Sequence, residues 1–327
     1  MQRKTFTHSL LALAATALLP LTAHAQTVKM TLGHGAAPGN PRHEAAVLFA
    51  DRVKARTNGR IEIQVAHSAQ LGDDAAMITA LRSGTLDMSA NSQGAIANVV
   101  PEYAALGLPF LFNDVQKAWA LLDGPIGAEL TKRTAAKGMV VLGYWDNGIR
   151  HVTNGKRPVK VPADLKGLKI RTPPDTMTVD IMQALGADTQ QIKFAELYVA
   201  LQQGVVDGQE NPLTNIASAK LYEVQKYLTL TGHKYESNPF LIGKRSWDKL
   251  SPADQKIFTE AAAEATQAQR KLSREADEKL VAELKGKGVQ IDTVDRKAFV
   301  EATKGVYAKW TASPVGDFVK QVVQQAQ

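Results

Sequence analysis

The chain has 327 residues, no cysteine, and a formal net charge of +7 from 39 Lys and Arg against 32 Asp and Glu residues. Its basic residues are spread among acidic ones and form no basic run, so nucleic-acid binding is not expected and only a mild preference for anions is supported. Without disulfides the chain has to be stabilised by its hydrophobic core, and its length is sufficient for two domains of ordinary size.

The first 25 residues have the three parts of a secretory signal peptide. Basic Arg3 and Lys4 precede an apolar run over residues 10–21 and a small-residue triplet that ends at Ala25, after which cleavage is predicted. The apolar run is too short to cross a membrane, no other segment is long and uncharged enough, and the cleavage site has no cysteine for a lipid anchor. We therefore expect a freely diffusing protein of a Gram-negative periplasm without direct membrane insertion.

A strand–helix–strand unit is predicted next. Residues 28–32 and 61–66 have strand patterns, and residues 42–57 between them have the apolar spacing of a helix that ends at Asn58-Gly59. A helix over residues 74–83, a short strand over 86–90 and an apolar loop over 104–112 follow.

A second series of strands and helices begins after an apolar strand at residues 139–144, which leads into residues 146–150. It comprises a strand at 168–171, a helix at 177–185, a strand near 189–191, a helix at 194–203 and a strand at 205–210. Alternation of strands with helices indicates an α/β fold, and two such series indicate two lobes.

The C-terminal third predicts one long helix, at about residues 252–285. Ser251 and Pro252 have the N-cap and first-turn pattern, and no further Gly or Pro occurs before Gly286. At about 1.5 Å per residue the helix is roughly 50 Å long. A lobe of about 130 residues has a radius of gyration of only about 14 Å, so the helix is expected to run across both lobes. The alternative is two shorter helices with a break near Ala268.

The local motifs give little support for an enzyme. In residues 33–39, GHGAAPG, the third glycine follows the second by four residues instead of the three of a dinucleotide-binding loop, so this segment is interpreted as a flexible loop. The histidines after residue 25 lack zinc-binding spacing, and no Gly-x-Ser-x-Gly sequence occurs. No catalytic residue, metal or cofactor is predicted. A triad assembled only by the fold would leave no local pattern, so an exported α/β hydrolase stays an alternative of another class.

Residues 165–173, LKGLKIRTP, contain an arginine of particular interest. Leu168 and Ile170 alternate with basic residues as in a half-buried strand, and Pro173 ends the pattern. The alternation places Arg171 on the face opposite the two aliphatic side chains. Taken alone, this pattern favours a solvated surface arginine over a ligand-binding one.

Several polar residues follow predicted strands, where α/β sheets bind ligands. Each of these residues has an alternative interpretation: a residue of a helix N-cap region at Asp74, a helix cap at Asn211, a loop position at His34, and solvated side chains at the others. Two arginines surrounded by amide and imidazole groups would suit an anion that also carries hydroxyls, and a guanidinium can bind a carboxylate through two parallel hydrogen bonds. The residues concerned are His34, Asp74, Asn91, Arg150, Arg171 and Asn211.

Longer segments resemble a known family. "DLKGLKIRTP", "LYVALQQGVVDGQENP" and "KLYEVQKYLTLTGH", together with "HSAQLGDD", "LRSGTLDM", "LPFLF" and "GIRHVTN", are similar to the extracytoplasmic solute-binding proteins of TRAP transporters and occur in that family's order. The resemblance implies a two-lobed, type II-like α/β fold with a ligand cleft between the lobes and a long bridging helix. We expect lobe I at residues 26–147 plus about 237–276, and lobe II at 148–236 plus about 277–327.

The resemblance also implies roles for individual residues. Arg171 resembles the arginine that pairs with the ligand carboxylate, with Asn211 as its companion and Arg150 as a second arginine. The positions near the rest of the ligand are Asp74 and Asn91, the loop containing His34, Asn215 about one helical turn beyond Asn211, and Asn238 where the chain crosses between lobes.

The expected function is that of a periplasmic receptor that delivers a small organic acid to the small and large membrane subunits of a TRAP permease. The expected ligand is a hydroxylated monocarboxylate such as a sugar acid, an aldonate or a pantoate-like hydroxy acid, and the protein is expected to be a monomer. A C4-dicarboxylate is the alternative ligand, because Arg150 could hold a second carboxylate. An added role as a sensor that binds a signalling partner when closed also stays open.

Overall fold

The computed structural model describes residues 27–326, so the predicted signal peptide and its cleavage site lie outside the described residues. The described chain contains nine strands. They are β1 Val28–Gly33, β2 Ile61–Ala66, β3 Met88–Ala90, β4 Met139–Asn154, β5 Lys169–Thr172, β6 Asp188–Gln191, β7 Gly208–Pro212, β8 Tyr227–Gly243 and β9 Gln290–Thr293.

Helices connect and cover the strands, and none within residues 27–326 is long and apolar enough to cross a membrane. They are α1 Pro41–Arg56, α2 Asp74–Ser83, α3 Gln93–Ala97, α4 Val115–Leu122, α5 Pro125–Ala135, α6 Thr176–Ala184, α7 Phe194–Gln202, α8 Leu213–Ser218, α9 Lys244–Trp247, α10 Pro252–Gly286, α11 Arg296–Ala302, α12 Lys304–Thr311 and α13 Gly316–Ala326. Short 3₁₀ helices occur at Pro101–Gly107, Pro162–Leu165 and Leu221–Glu223.

The strands form one mixed sheet in the order β2-β1-β3-β8-β4-β7-β5-β6, with β9 added beside β8. β1 pairs with β2 and β3 in parallel, and β5 pairs with β6 and β7 in parallel. We call the part built on β1–β3 the first lobe and the part built on β5–β7 the second lobe. This two-lobed α/β architecture confirms the predicted fold class.

The long antiparallel strands β4 and β8 run through both lobes. The C-terminal end of β8 pairs with β3, whereas the C-terminal end of β4 pairs with β7. Their mutual register shifts between Asp146 and Gly148, and Gly148 has a φ of 113° that a side chain rarely adopts. The expected strand at residues 139–144 is therefore only the first part of β4, because pairing with β8 and β7 continues it to Asn154.

The C-terminal third forms the predicted long helix. α10 is continuous, so the alternative of a break near Ala268 is wrong. The Ser251 Oγ atom accepts from Asp254 N at 3.1 Å and caps the helix. α10 packs against α1 of the first lobe and α8 of the second, and between these contacts Gln269 bonds the backbone N and O of Asp146, both at 2.7 Å. The middle of α10 is thus hydrogen-bonded to β4 at Asp146, the residue at which the register of β4 against β8 shifts.

Apolar side chains form one cluster in the first lobe, one in the second, and a larger one that contains residues of both lobes. In the first lobe, Trp145 stacks on Phe240 at 4.5 Å between ring centroids, and Phe49 packs on the same ring at 4.8 Å. A cluster around Leu197 and Leu284 belongs to the second lobe. α13 packs against α4 and α12 packs against α6, so the C-terminal segment contacts both lobes.

The other predicted elements occur with ends that differ by a few residues. The largest difference concerns the strand expected at 205–210, which in the structure is Gly208–Pro212. Val205 is exposed in the preceding turn, and the strand begins where Gly208 reaches its partner Asn154. Pairing, which is a long-range interaction, decides these ends.

Candidate functional site

A cavity with a volume of about 110 Å³ lies between the two lobes. Its wall is formed by α1, α2 and the loops of the first lobe, by β4 and β8, and by β5, β7, α7 and α8 of the second lobe. Five of the eight predicted ligand-binding residues line it: Arg171, Arg150, Asn211, Asp74 and Asn215.

Arg171 is a buried arginine that presents unused donors to the cavity. Its side chain is 2% exposed, its Nε donates to Ile192 O at 2.8 Å, and its guanidinium lies 5.9 Å from the Phe194 ring centroid. Among residues 27–326 no carboxylate lies within 4.0 Å of it, and its terminal nitrogens have no protein partner. Burial lowers the pKa of Arg171 to about 10. The surface alternative is therefore wrong, and within the described residues the buried guanidinium has no acidic partner in direct contact.

Arg150 has the opposite environment, because two buried glutamates neutralise it. Its Nε donates to Glu210 Oε2 at 2.5 Å, its Nη2 donates to Glu210 Oε1 at 2.7 Å, and its Nη1 donates to Glu236. Burial alone would lower the pKa of Arg150, but the two carboxylates offset this effect and raise it. Glu210 also accepts from His233, and the cluster keeps the pKa of Glu210 at about 2 despite its burial.

A chain of amide side chains connects the lobes beside these ions. The Nδ2 of Asn215 donates to Asn211 Oδ1 at 3.1 Å and to Asn147 Oδ1 at 3.2 Å, and its Oδ1 accepts from Asn40 Nδ2 at 3.0 Å. Asn211 and Asn215 are therefore in contact, but the predicted spacing of one helical turn is wrong, because Asn211 lies in β7 and α8 begins only at Leu213. The alternative of Asn211 as a cap is wrong, because Pro212 occupies the N-cap position of α8.

Asp74 lines the cavity from the first lobe and is also the first residue of α2, so it lies in the N-cap region of that helix. The cap of α2 is Asp73, whose side chain accepts from Ala76 N at 2.8 Å. Asp74 Oδ2 accepts from Ser92 N at 3.0 Å, and desolvation raises its pKa even though Arg42 opposes the shift.

The remaining predicted residues lie outside the wall of this cavity. Asn91 is buried behind Asp74; in the amide orientation that satisfies both its polar atoms, its Nδ2 donates to Asp74 Oδ1 at 3.1 Å. His34 is fully buried and contacts His43, and burial lowers its pKa to about 3, which keeps it neutral. Asn238 donates to Asp146 O at 3.3 Å. A direct ligand contact by these three residues stays a prediction.

Three wall features were missed from the sequence. Arg42 at the start of α1 and Asn147 in β4 face the cavity, and a Lys193–Asp73 ion pair of 2.9 Å joins the two lobes. The signal for Arg42 was its place directly after a Gly-rich loop that follows a strand, but no local pattern distinguished it from other arginines. Within residues 27–326 no group of three or more His, Asp or Glu side chains is placed to hold a metal ion.

Comparison with known proteins gives the family. Residues 32–313 match the model of the DctP family, described as bacterial extracellular solute-binding protein, family 7. The uncharacterized protein y4mM of Sinorhizobium fredii is 56% identical over 296 residues, which are 90% of this chain and 54% of that protein. The chain therefore spans about half the length of this relative.

Two further relatives match along nearly their whole length. The 2,3-diketo-L-gulonate-binding periplasmic protein YiaO of Escherichia coli is 38% identical over 303 residues, which are 92% of each chain. A crystal structure of a TRAP periplasmic solute binding protein from Polaromonas, bound to D-erythronate, has a TM-score of 0.88 and 37% identity and covers 90% of this chain and 98% of its own. The chain belongs to the DctP family of TRAP solute-binding proteins, as the sequence resemblance predicted.

Proposed function

We propose that this protein is the periplasmic receptor of a TRAP transport system and captures a hydroxylated monocarboxylate. The observation that carries the proposal is Arg171, a buried arginine that lines a cavity between two lobes and has no carboxylate within 4.0 Å in the described part of the chain. A planar guanidinium can bind a carboxylate through two parallel, charge-assisted hydrogen bonds. A ligand carboxylate at this position would provide the charge that the protein does not.

Two cationic side chains of the cavity wall are already paired with acidic ones, which favours one ligand carboxylate over two. Arg150 is already paired with Glu210 and Glu236, so it is poorly suited to hold a second carboxylate. Lys193 is paired with Asp73. This supports a monocarboxylate over the C4-dicarboxylate alternative. The relatives named for 2,3-diketo-L-gulonate and bound to D-erythronate support the same class, because both ligands combine a carboxylate with several other oxygen atoms.

Closure of the lobes is the mechanism that fits this wall. We propose that the lobes divide near residues 147/148 in β4, near 236/237 in β8 and near 276/277 in α10, so that Arg171 and Asn211 belong to one lobe and Asp74 to the other. A ligand bonded by both lobes stabilises the closed form by the difference between its affinities for the closed and open forms. The closed, monomeric receptor would then deliver the acid to the membrane subunits of the permease.

A ligand screen on the chain from Gln26 onward tests the proposal. Sugar acids and short hydroxy acids are compared with their methyl esters by thermal unfolding, since an ester keeps the shape and removes the charge that Arg171 would bind. An acid at 100 times its dissociation constant should stabilise the protein by about 2.7 kcal/mol, and its ester should not. Equal effects of acid and ester would refute carboxylate recognition. Recovery of the acid unchanged separates a receptor from the hydrolase alternative.

A further inference from the structure

A second arginine on the cavity wall has unused donors. Arg42 is 5% exposed and lines the cavity, and its Nη2 donates to Asn147 Oδ1 at 2.8 Å. Its buried Nε has no hydrogen-bond partner, and no carboxylate among residues 27–326 lies within 4.0 Å of its guanidinium. The side chain comes from α1 of the first lobe, opposite Arg171 in β5 of the second.

The position of Arg42 is unfavourable for the protein without a ligand. It lies in the first turn of the 16-residue helix α1, where the helix dipole disfavours a positive charge. Burial lowers the pKa of its guanidinium, and Asp74 and Glu236 only partly oppose this effect. The Nε atom is enclosed by protein, so the donor that a hydrogen-bond acceptor in the cavity can reach is Nη1, which has no hydrogen-bond partner among residues 27–326. The acceptor expected here is a ligand oxygen.

We expect this acceptor to be an uncharged oxygen and not a second carboxylate, because an acidic side chain lies in the same part of the cavity wall. Asp74 also lines the cavity, with Ser92 N and Asn91 bonded to its carboxylate oxygens from behind. Arg42 and Asp74 together carry no net charge and offer one set of donors and one set of acceptors. A hydroxyl group both accepts and donates, so hydroxyl-bearing carbons can satisfy both side chains, whereas a carboxylate would be repelled by Asp74.

We propose that Arg42 is a specificity-determining residue that donates to hydroxyl oxygens at the end of the ligand remote from Arg171, with Asp74 beside it disfavouring a second carboxylate. This inference rests on the proposed function and extends it to the far end of the ligand. It assigns the hydroxyl preference to the first lobe and the carboxylate preference to the second.

The test compares two acids that share a four-carbon skeleton: D-erythronate, with hydroxyls on carbons 2, 3 and 4, and 2-hydroxybutanoate, which lacks the two distal ones. Calorimetry measures both with wild type, Arg42→Met and Arg171→Met. Arg52→Met is the control, because Arg52 lies on the same helix, is exposed, and pairs with Glu264 at 3.3 Å outside the cavity. Arg42→Met should weaken D-erythronate roughly 10- to 100-fold and leave 2-hydroxybutanoate within about twofold. Arg171→Met should weaken both, and Arg52→Met neither.

The outcomes separate the two proposals. If Arg42→Met weakens both acids by the same factor, or neither, Arg42 does not determine hydroxyl specificity, and the inference fails while the role of Arg171 stands. If Arg171→Met leaves both affinities unchanged, the carboxylate pairing itself is wrong. Asp74→Asn provides a second measurement, since it should raise the affinity for succinate relative to D-erythronate. Arg42→Lys, which retains the charge, replaces Arg42→Met if the latter does not fold, and it should reduce the preference for D-erythronate in the same direction.

Discussion

Replacement of Arg171 by methionine should strongly weaken ligand binding without destabilising the ligand-free protein. Arg171 lines the cavity, and its two terminal nitrogens have no hydrogen-bond partner among residues 27–326. Two charge-assisted bonds from them to a carboxylate would contribute about 3–6 kcal/mol together. The dissociation constant should therefore rise by roughly 10²- to 10⁴-fold. Without ligand, the variant loses the bond to Ile192 O and the contact with Phe194, about 1–2 kcal/mol together, but it also removes a buried charge that has no counter-ion.

The assay combines calorimetric titration with chemical unfolding of the ligand-free protein. Lys169→Met is the matched control, because Lys169 is exposed on the same strand, and it should alter neither quantity. Arg171→Lys retains the charge and loses the planar pair of donors, so its affinity should lie between those of wild type and Arg171→Met. A loss of several kcal/mol of stability in ligand-free Arg171→Met, with affinity unchanged, would refute this reasoning and make Arg171 a structural residue.

Three further predictions concern stability. Arg150→Met leaves Glu210 as an uncompensated buried charge, so chemical denaturation should show a loss of about 3–5 kcal/mol, and a loss below about 1 kcal/mol would contradict the ion cluster. Burial raises the pKa of Asp277 from 3.8 to about 7, so between these pH values the folded chain retains a proton that the unfolded chain has released, and stability falls as pH rises. Asp277→Asn should therefore add roughly 1–2 kcal/mol at pH 8 and little at pH 4, a difference that the exposed control Asp51→Asn should lack. Asn40→Ala removes the cap of α1 and the amide contact with α8, so thermal unfolding should show a loss of about 1 kcal/mol or more. The same variant should bind the ligand several-fold more weakly. An unchanged affinity would argue against a role of Asn40 in closure.

Local chemistry was sufficient to predict much of the fold. Ser251 and Pro252 define the start of α10, and the absence of Gly and Pro before Gly286 defines its length. Strand ends were less predictable: β4 continues to Asn154 because β7 and β8 pair with it, and these partners lie far away in the sequence. The apolar pattern of residues 139–144 carries no information about those partners.

The candidate site was predicted unevenly for the same reason. Arg171, Arg150 and Asn211 are in segments that resemble the family, and all three line the cavity. The sequence could not show that Arg150 is neutralised whereas Arg171 is not, because Glu210 and Glu236 approach Arg150 only through the pairing of β4 with β7 and β8. Arg42 had no distinguishing local pattern at all.

The sequence by itself determined the α/β class, the two lobes, the long helix and the family, because these depend on periodicity, caps and contiguous motifs. Only the tertiary structure determined which buried arginines have a carboxylate beside them and which do not. The electrostatic state of a buried arginine depends on groups within a few ångströms, and these come from strands and helices tens to more than a hundred residues away. Thus one arginine of the cavity wall is part of an ion cluster with two glutamates, whereas Arg171 and Arg42 line the cavity with no carboxylate within 4.0 Å among residues 27–326.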